Sequence, residues 1–192
     1  AEIENQKTEN VQIWNQNVLD LKLPPDSFSS GYKLVANLPY NISSVFLRKF
    51  LTSSARPDLM VLLLQKEVAE RIVAKPPNMS LLALSVQYYA EPQFIKKVSP
   101  ASFWPRPRVE SAIVKLKIRS KFKCSPREEK KLFQVIRIGF SSKRKMLKNN
   151  LAGGLRRDAG EVEKIFLNLD FNPKVRPQEL SLEDWLKIIT YF

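Results

Sequence analysis

The chain contains no histidine and one cysteine, Cys124, in 192 residues. Those two shortages exclude an internal disulfide, a Cys/His zinc site and a histidine general base within these residues. Glycine is scarce as well. The five glycines are Gly31, Gly139, Gly153, Gly154 and Gly160, and none makes a G-x-G turn after a strand, the pattern that lets backbone approach a nucleotide closely. Long apolar runs are missing too: Leu59 to Leu64 is the longest strongly apolar one, against the ~20 residues a membrane-spanning helix needs. A cytoplasmic protein is the expectation.

Apolar residues make up 44% of the chain and there are 13 prolines, which fits a globular protein with a substantial core. Charge is distributed unevenly. Of 32 Lys+Arg and 19 Asp+Glu, the stretch from Lys115 to Arg157 holds 15 basic residues and only 2 acidic ones, Glu128 and Glu129, so the rest is balanced at 17 of each sign. A surplus confined to one segment suits a polyanion partner, since each cation that meets a phosphate releases counterions. A merely solubilising surface needs no such clustering.

Val11 to Trp14 and Lys33 to Ala36 read as short strands, separated by a polar loop with Pro24, Pro25 and Gly31. Ser43 and Ser44 are suited to cap a helix reaching about Leu51, with Val45, Phe46 and Phe50 on one face. Asp58 to Leu64 is continuously apolar, as in a parallel strand buried on both faces, and Gln65 to Ala74 has helical spacing. A helix from about Ser80 to Tyr89 follows, then an extended FWPRPR segment and a strand from Ser111 to Ile118. Beyond Arg119 the signals are helical only: a capping box at Ser125 with Pro126 and Glu128 opens a helix to about Phe140, and further helices are expected over 143–151, 161–169 and 181–191. The rhythm is that of an α/β fold, residues 1–118, followed by a small all-α part, residues 119–192.

The stretch KLVANLPYNISS, Lys33 to Ser44, leaves its strand in an unusual way. An ordinary turn would favour glycine or aspartate there. An asparagine side-chain oxygen and a neighbouring backbone carbonyl are two acceptors that can take the two N–H bonds of an exocyclic amine. They would draw its nitrogen toward tetrahedral geometry and free its lone pair from the ring. Pro39 fixes the backbone that aims the Leu38 carbonyl, and Tyr40 offers a face on which a base can stack, a contact worth ~1–3 kcal/mol.

Five motifs in order, NLPYNISS at 37–44, LLLQKEVAERIVA at 62–74, LSVQYY at 84–89, FWPRPRVESAIVKL at 103–116 and GFSSKRKMLKNNL at 139–151, resemble the KsgA-type small-subunit rRNA adenine N6,N6-dimethyltransferases. The resemblance implies a Rossmann-like class I methyltransferase domain with a small helical rRNA-binding domain, S-adenosyl-L-methionine as cofactor and methyl donor, and small-subunit rRNA as partner. Asn37, Leu38, Pro39 and Tyr40 match the family's target-amine motif, with Asn37 also near the cofactor. Phe103 matches an aromatic expected to sandwich the extruded adenine against Tyr40. Arg106 and Arg108 stand beside that pocket as candidate phosphate anchors, and Lys143, Arg144, Lys145 and Lys148 match a basic helix that meets rRNA. Leu38, where macrolide-resistance rRNA methyltransferases usually carry isoleucine, favours the housekeeping branch.

The sequence departs from the family at three places. Asn17 stands where an aspartate normally contacts the cofactor adenine, and its amide oxygen still accepts that bond without the charge. Ser80 replaces a usual glycine. The glycine-rich cofactor loop and the ribose-holding acid are expected upstream of Ala1, so the methyltransferase domain is expected to be incomplete, and the chain alone to bind S-adenosylmethionine weakly or not at all and to be inactive. A monomer with no membrane association and no metal is expected. The alternative is a non-catalytic RNA-binding factor, serving ribosome assembly or transcription on the same scaffold.

Overall fold

The computed structural model describes residues 11, 13–21, 31–122 and 124–192. The proline-containing loop lies outside the described residues, apart from Gly31 at its end. Among the described residues four strands form one sheet: β1 Lys33–Asn37, β2 Leu59–Gln65, β3 Ala90–Val98 and β4 Ser111–Ile118, in the order β1-β2-β4-β3. β1 runs parallel to β2, and β4 runs antiparallel to both β2 and β3. Helix α1, Ser43–Thr52, makes the crossover between β1 and β2, and helices α2, Lys66–Ile72, and α3, Leu81–Tyr89, follow β2.

Alternation builds the core. Met60, Leu62 and Leu64 of β2 stand opposite Leu116, Val114 and Ala112 of β4, and all six are fully buried. Each such leucine contributes ~1.5–3 kcal/mol through burial. β2 was expected to be buried on both faces, yet Leu59, Val61 and Leu63 are only half-buried. The reason lies next door: β4 places Lys117 and Lys115 opposite Leu59 and Val61, which keeps that face wet.

Other expectations need correction. Among the described residues of Val11 to Trp14 there is no strand, and Ile13 and Trp14 are exposed; a strand needs a ladder partner, and these residues pair with none. Ser43 and Ser44 lie inside α1 instead of capping it, because a 3-10 turn, Tyr40–Ile42, already leads the chain into the helix. Val45 points away from the buried pair Phe46 and Phe50. Strand β3 was not foreseen; Pro92 and a bulge between Phe94 and Lys96 interrupt its alternation.

Past Ile118 the regular elements among the described residues are helical: α4 Pro126–Gly139, α5 Leu147–Leu155, α6 Ala159–Asn168 and α7 Leu182–Ile188. The Ser125 capping box with Glu128 is formed as expected, and a second one joins Ser181 to Asp184. The helical part packs directly on the sheet part. Tyr88 and Tyr89 of α3 contact Phe122 and Phe133 at centroid distances of 4.9–5.9 Å counting their own pair, and Arg56 lies 4.6 Å over the Phe122 ring. The Tyr89 hydroxyl donates to Glu129 on α4 at 2.5 Å. Burial, with Glu129 nearby, pushes both phenols up and keeps them neutral.

Gly139 at the end of α4 is required by packing. A Cβ there would stand 2.3 Å from Trp185 and 2.8 Å from Leu147, both fully buried. The close approach lets α7 seal the helical core.

Candidate active site

The motifs that begin at Asn37 and at Phe103 converge on one end of the sheet. β1 leaves it at Asn37, β2 at Gln65 and β3 at Val98, while β4 enters it at Ser111, which stands opposite both Gln65 and Val98. The carboxyl ends of strands are where open α/β sheets bind ligands. Asn37 closes β1 and is exposed, with no hydrogen bond to its amide among the described residues. Leu38 turns its side chain into the core, 5% exposed, which pins the backbone whose carbonyl would serve as second acceptor. Pro39, at φ −55° and ψ 133°, accepts from the Ile42 N–H at 3.2 Å and closes the turn.

Tyr40 is half-buried, and its hydroxyl lies 2.7 Å from the Ser111 hydroxyl. Ser111 is fully buried. It ends the motif that begins at Phe103, so this one bond ties the two motifs across 71 positions of sequence. Phe103 is half-buried, and its N–H reaches the Pro100 carbonyl at 3.3 Å after a short 3-10 turn, Pro100–Ser102. Among the described residues the Tyr40 and Phe103 rings do not stack on each other. Arg106 and Arg108 are exposed on the loop between Phe103 and Ser111, and Trp104 beside them is 97% exposed.

Next to Asn37 a groove of about 440 Å³ runs along β1, lined among others by Trp14, Val18, Val35, Asn37, Leu38 and Phe46. Its wall is mainly apolar, with the Asn37 amide at the rim. Asn17 does not line it. The Asn17 side-chain oxygen instead accepts the Leu19 N–H at 3.0 Å, and Lys49 holds the same segment by donating to the Leu19 and Leu21 carbonyls at 2.6 Å each.

The basic cluster is split by the fold. Lys143, Arg144 and Lys145 are exposed, but they sit on the turn before α5 and not on a helix, because Met146 is extended (φ −60°, ψ 140°). Lys148, on the first turn of α5, is mostly covered and donates to Glu163 of α6 at 2.6 Å. The turn is held by a residue that sequence reasoning passed over. Buried Asn150 donates to the Gly139 carbonyl at 2.6 Å and to the Ser142 carbonyl at 2.9 Å. The signal was available: Asn150 falls on the apolar stripe of Leu147 and Leu151, where a polar residue needs a partner. A concavity of about 590 Å³ opens beside this turn, lined in part by Ser141, Arg144, Lys145 and Asn149.

Two cations and two anions elsewhere need no ligand. Lys66 pairs with Glu110 at 2.5 Å, and Arg119 pairs with Glu91 at 2.9 Å. Hydrogen bonding and charge from Lys66 hold the Glu110 carboxyl below its ordinary range, and Glu110 raises Lys66 in return.

The family model for ribosomal RNA adenine dimethylase matches residues 1–192. A ribosomal RNA small subunit methyltransferase A from Dehalococcoides mccartyi is 40% identical over 179 residues, covering 93% of this chain and 57% of that protein. A protein of the same name from Nostoc punctiforme is 38% identical over 192 residues, covering 94% of this chain and 66% of its own length. The chain thus spans between half and two thirds of these relatives. Among solved structures, a dimethyladenosine transferase from Plasmodium falciparum superposes with a TM-score of 0.79 at 24% identity, over 100% of this chain and 74% of that one. The 23S rRNA methyltransferase ErmE superposes with a TM-score of 0.76 at 21% identity, over 95% of this chain and 72% of that one. At such identities these two likenesses establish a shared fold. With every residue of the chain matched by the family model, the protein belongs to the ribosomal RNA adenine dimethylase family.

Proposed function

We propose that the protein carrying this chain dimethylates N6 of two adjacent adenines in a loop near the 3′ end of small-subunit rRNA, using S-adenosylmethionine, as a step in small-subunit biogenesis. The observation that carries the proposal is the convergence of Asn37, the Leu38 carbonyl, Tyr40 and the Phe103 loop at one sheet end, tied by the Tyr40–Ser111 bond. Loop bases suit the site because an A-form helix hides its base edges.

S-adenosylmethionine, when bound, supplies an electrophilic methyl group. Asn37 and the Leu38 carbonyl accept the two amine hydrogens and aim the nitrogen lone pair. Tyr40 and Phe103 hold the faces of the extruded adenine, and Trp104 offers a further ring to a flanking base. Once the nitrogen has gained a methyl group it is cationic and releases its proton to water, so positioning suffices and no histidine is needed. After the first transfer one N–H remains, one acceptor loses its partner, and the pocket must admit a methyl group. The turn at Lys143, Arg144 and Lys145 supplies sequence-independent attraction to phosphates. These residues act from a monomer in the cytoplasm in this reading; among the described residues no helix is long and apolar enough to cross a membrane.

Mass spectrometry of small-subunit rRNA from cells lacking the gene is expected to show loss of dimethyladenosine. Unchanged dimethyladenosine would refute the proposal, and binding without transfer by the full reading frame would favour an RNA-binding factor.

A further inference from the structure

We infer that Ser111 is a positioning residue for the methyl-transfer site, acting through Tyr40; this rests on the functional reading above. The inference begins with rigidity. Ser111 is the first residue of β4, an inner strand, and its backbone stands opposite Gln65 on one side and Val98 on the other. The residue before it is clamped twice to the start of α2: the Lys66 N–H reaches the Glu110 carbonyl at 2.9 Å, and the Lys66 ammonium pairs with the Glu110 carboxylate. The Ser111 hydroxyl is therefore presented, fully buried, from a well-anchored point at this end of the sheet.

Tyr40 is in the opposite situation. It lies on a three-residue 3-10 turn and is half-buried, so packing alone leaves its ring freedom to swing about the Cα–Cβ bond. The 2.7 Å bond from its hydroxyl to Ser111 removes that freedom by tethering the far end of the ring. Stacking an extruded base requires a ring plane fixed in space, and a phenylalanine at position 40 would stack as well but could not be tethered. The same serine ends the loop that Phe103 opens, so the tether joins the Tyr40 wall of the proposed base site to the strand that follows the Phe103 loop. The FWPRPRVES motif thereby acquires a role for its last residue.

The test is a double-mutant cycle in the full-length protein, with Tyr40→Phe, Ser111→Ala and the double variant, measuring kcat for methyl transfer to small-subunit RNA and the Kd for that RNA. Each single variant is expected to lower kcat about 10-fold while leaving Kd within about 2-fold, the pattern of lost orientation. The double variant is expected to be no slower than either single one, because the second change removes a partner already idle. Multiplying effects in the double variant, or a wild-type kcat in Ser111→Ala, would overturn the inference. If Ser111→Ala fails to fold, Tyr40→Phe alone decides, since an unchanged kcat there means the tether is idle. A wild-type protein that transfers no methyl group would overturn the functional reading and the inference with it, whereas an active wild type with additive variants overturns the inference only.

Discussion

The strand-end site and the basic turn before α5 face the same proposed substrate by different physical means. At the strand end the side chains and backbone proposed to hold the amine and its base are uncharged, an amide, a carbonyl and two rings, and their value depends on sub-ångström placement by buried neighbours such as Leu38 and Ser111. At the turn the working groups are exposed cations whose attraction reaches across a Debye length and tolerates disorder in the side chains. Orientation is short-ranged and all-or-none, whereas attraction is long-ranged and graded. Substitutions in the two regions should therefore differ in kind as well as in size.

The largest effect is expected at Asn37. Replacing it with alanine removes the acceptor proposed for the transfer step and should lower kcat at least about 100-fold, with RNA affinity within about 2-fold. Methyl incorporation and filter binding on the same preparation check both halves; a parallel loss of affinity would erase the contrast between the regions.

Asn150→Leu comes next, and it links the regions by scaffold. Two carbonyls, of Gly139 and Ser142, lose their donor in the buried end of the turn. Stability should fall by ~1–3 kcal/mol, read as a lower denaturant midpoint, and RNA affinity should fall with kcat at saturating RNA unchanged.

The basic residues should give a graded response. Lys143→Ala and Lys145→Ala are each expected to reduce the slope of log K against log salt by roughly 0.7–0.9. Lys148→Ala should change that slope less, because its ammonium is already paired with Glu163. Equal slope changes at all three positions would mean that the ion pair opens when RNA binds.

The smallest effect concerns the Lys66–Glu110 pair behind the strand-end site. The Glu110 carboxyl is lowered in the folded state, so its contribution to stability is present above the ordinary carboxylate range and is lost as pH falls through the folded value. Lys66 is raised, so its contribution is present below the ordinary lysine value and is lost as pH rises through the folded one. Glu110→Gln should lower Tm by about 1 °C at neutral pH, and the difference from wild type should vanish on acidification below the folded value.

Much of this was readable from the chain. Strand β4 from Ser111 to Ile118 follows from its alternation, the start of α4 from the Ser125 box, the strand exit at Asn37 from the apolar run before it, and the family from five ordered motifs. What failed were inferences from local propensity where neighbours decide. Ser43 looks like a cap yet is already the first residue of α1, Lys143 to Lys145 look helical yet precede an extended Met146, and β3 hides behind Pro92 and a bulge.

By itself the sequence determined β4, the start of α4, the location of the charge surplus and the chemical character of the strand exit, because periodicity, composition and turn chemistry are local properties. Only the tertiary structure decided that Tyr40 and Ser111 share a hydrogen bond, that Asn150 holds the basic turn, and that Lys148 is committed to Glu163 while Lys143 stays exposed. Each of these depends on the approach of residues 8 to 71 positions apart, and such approach is set by how the sheet and helices pack, which no short window of sequence contains.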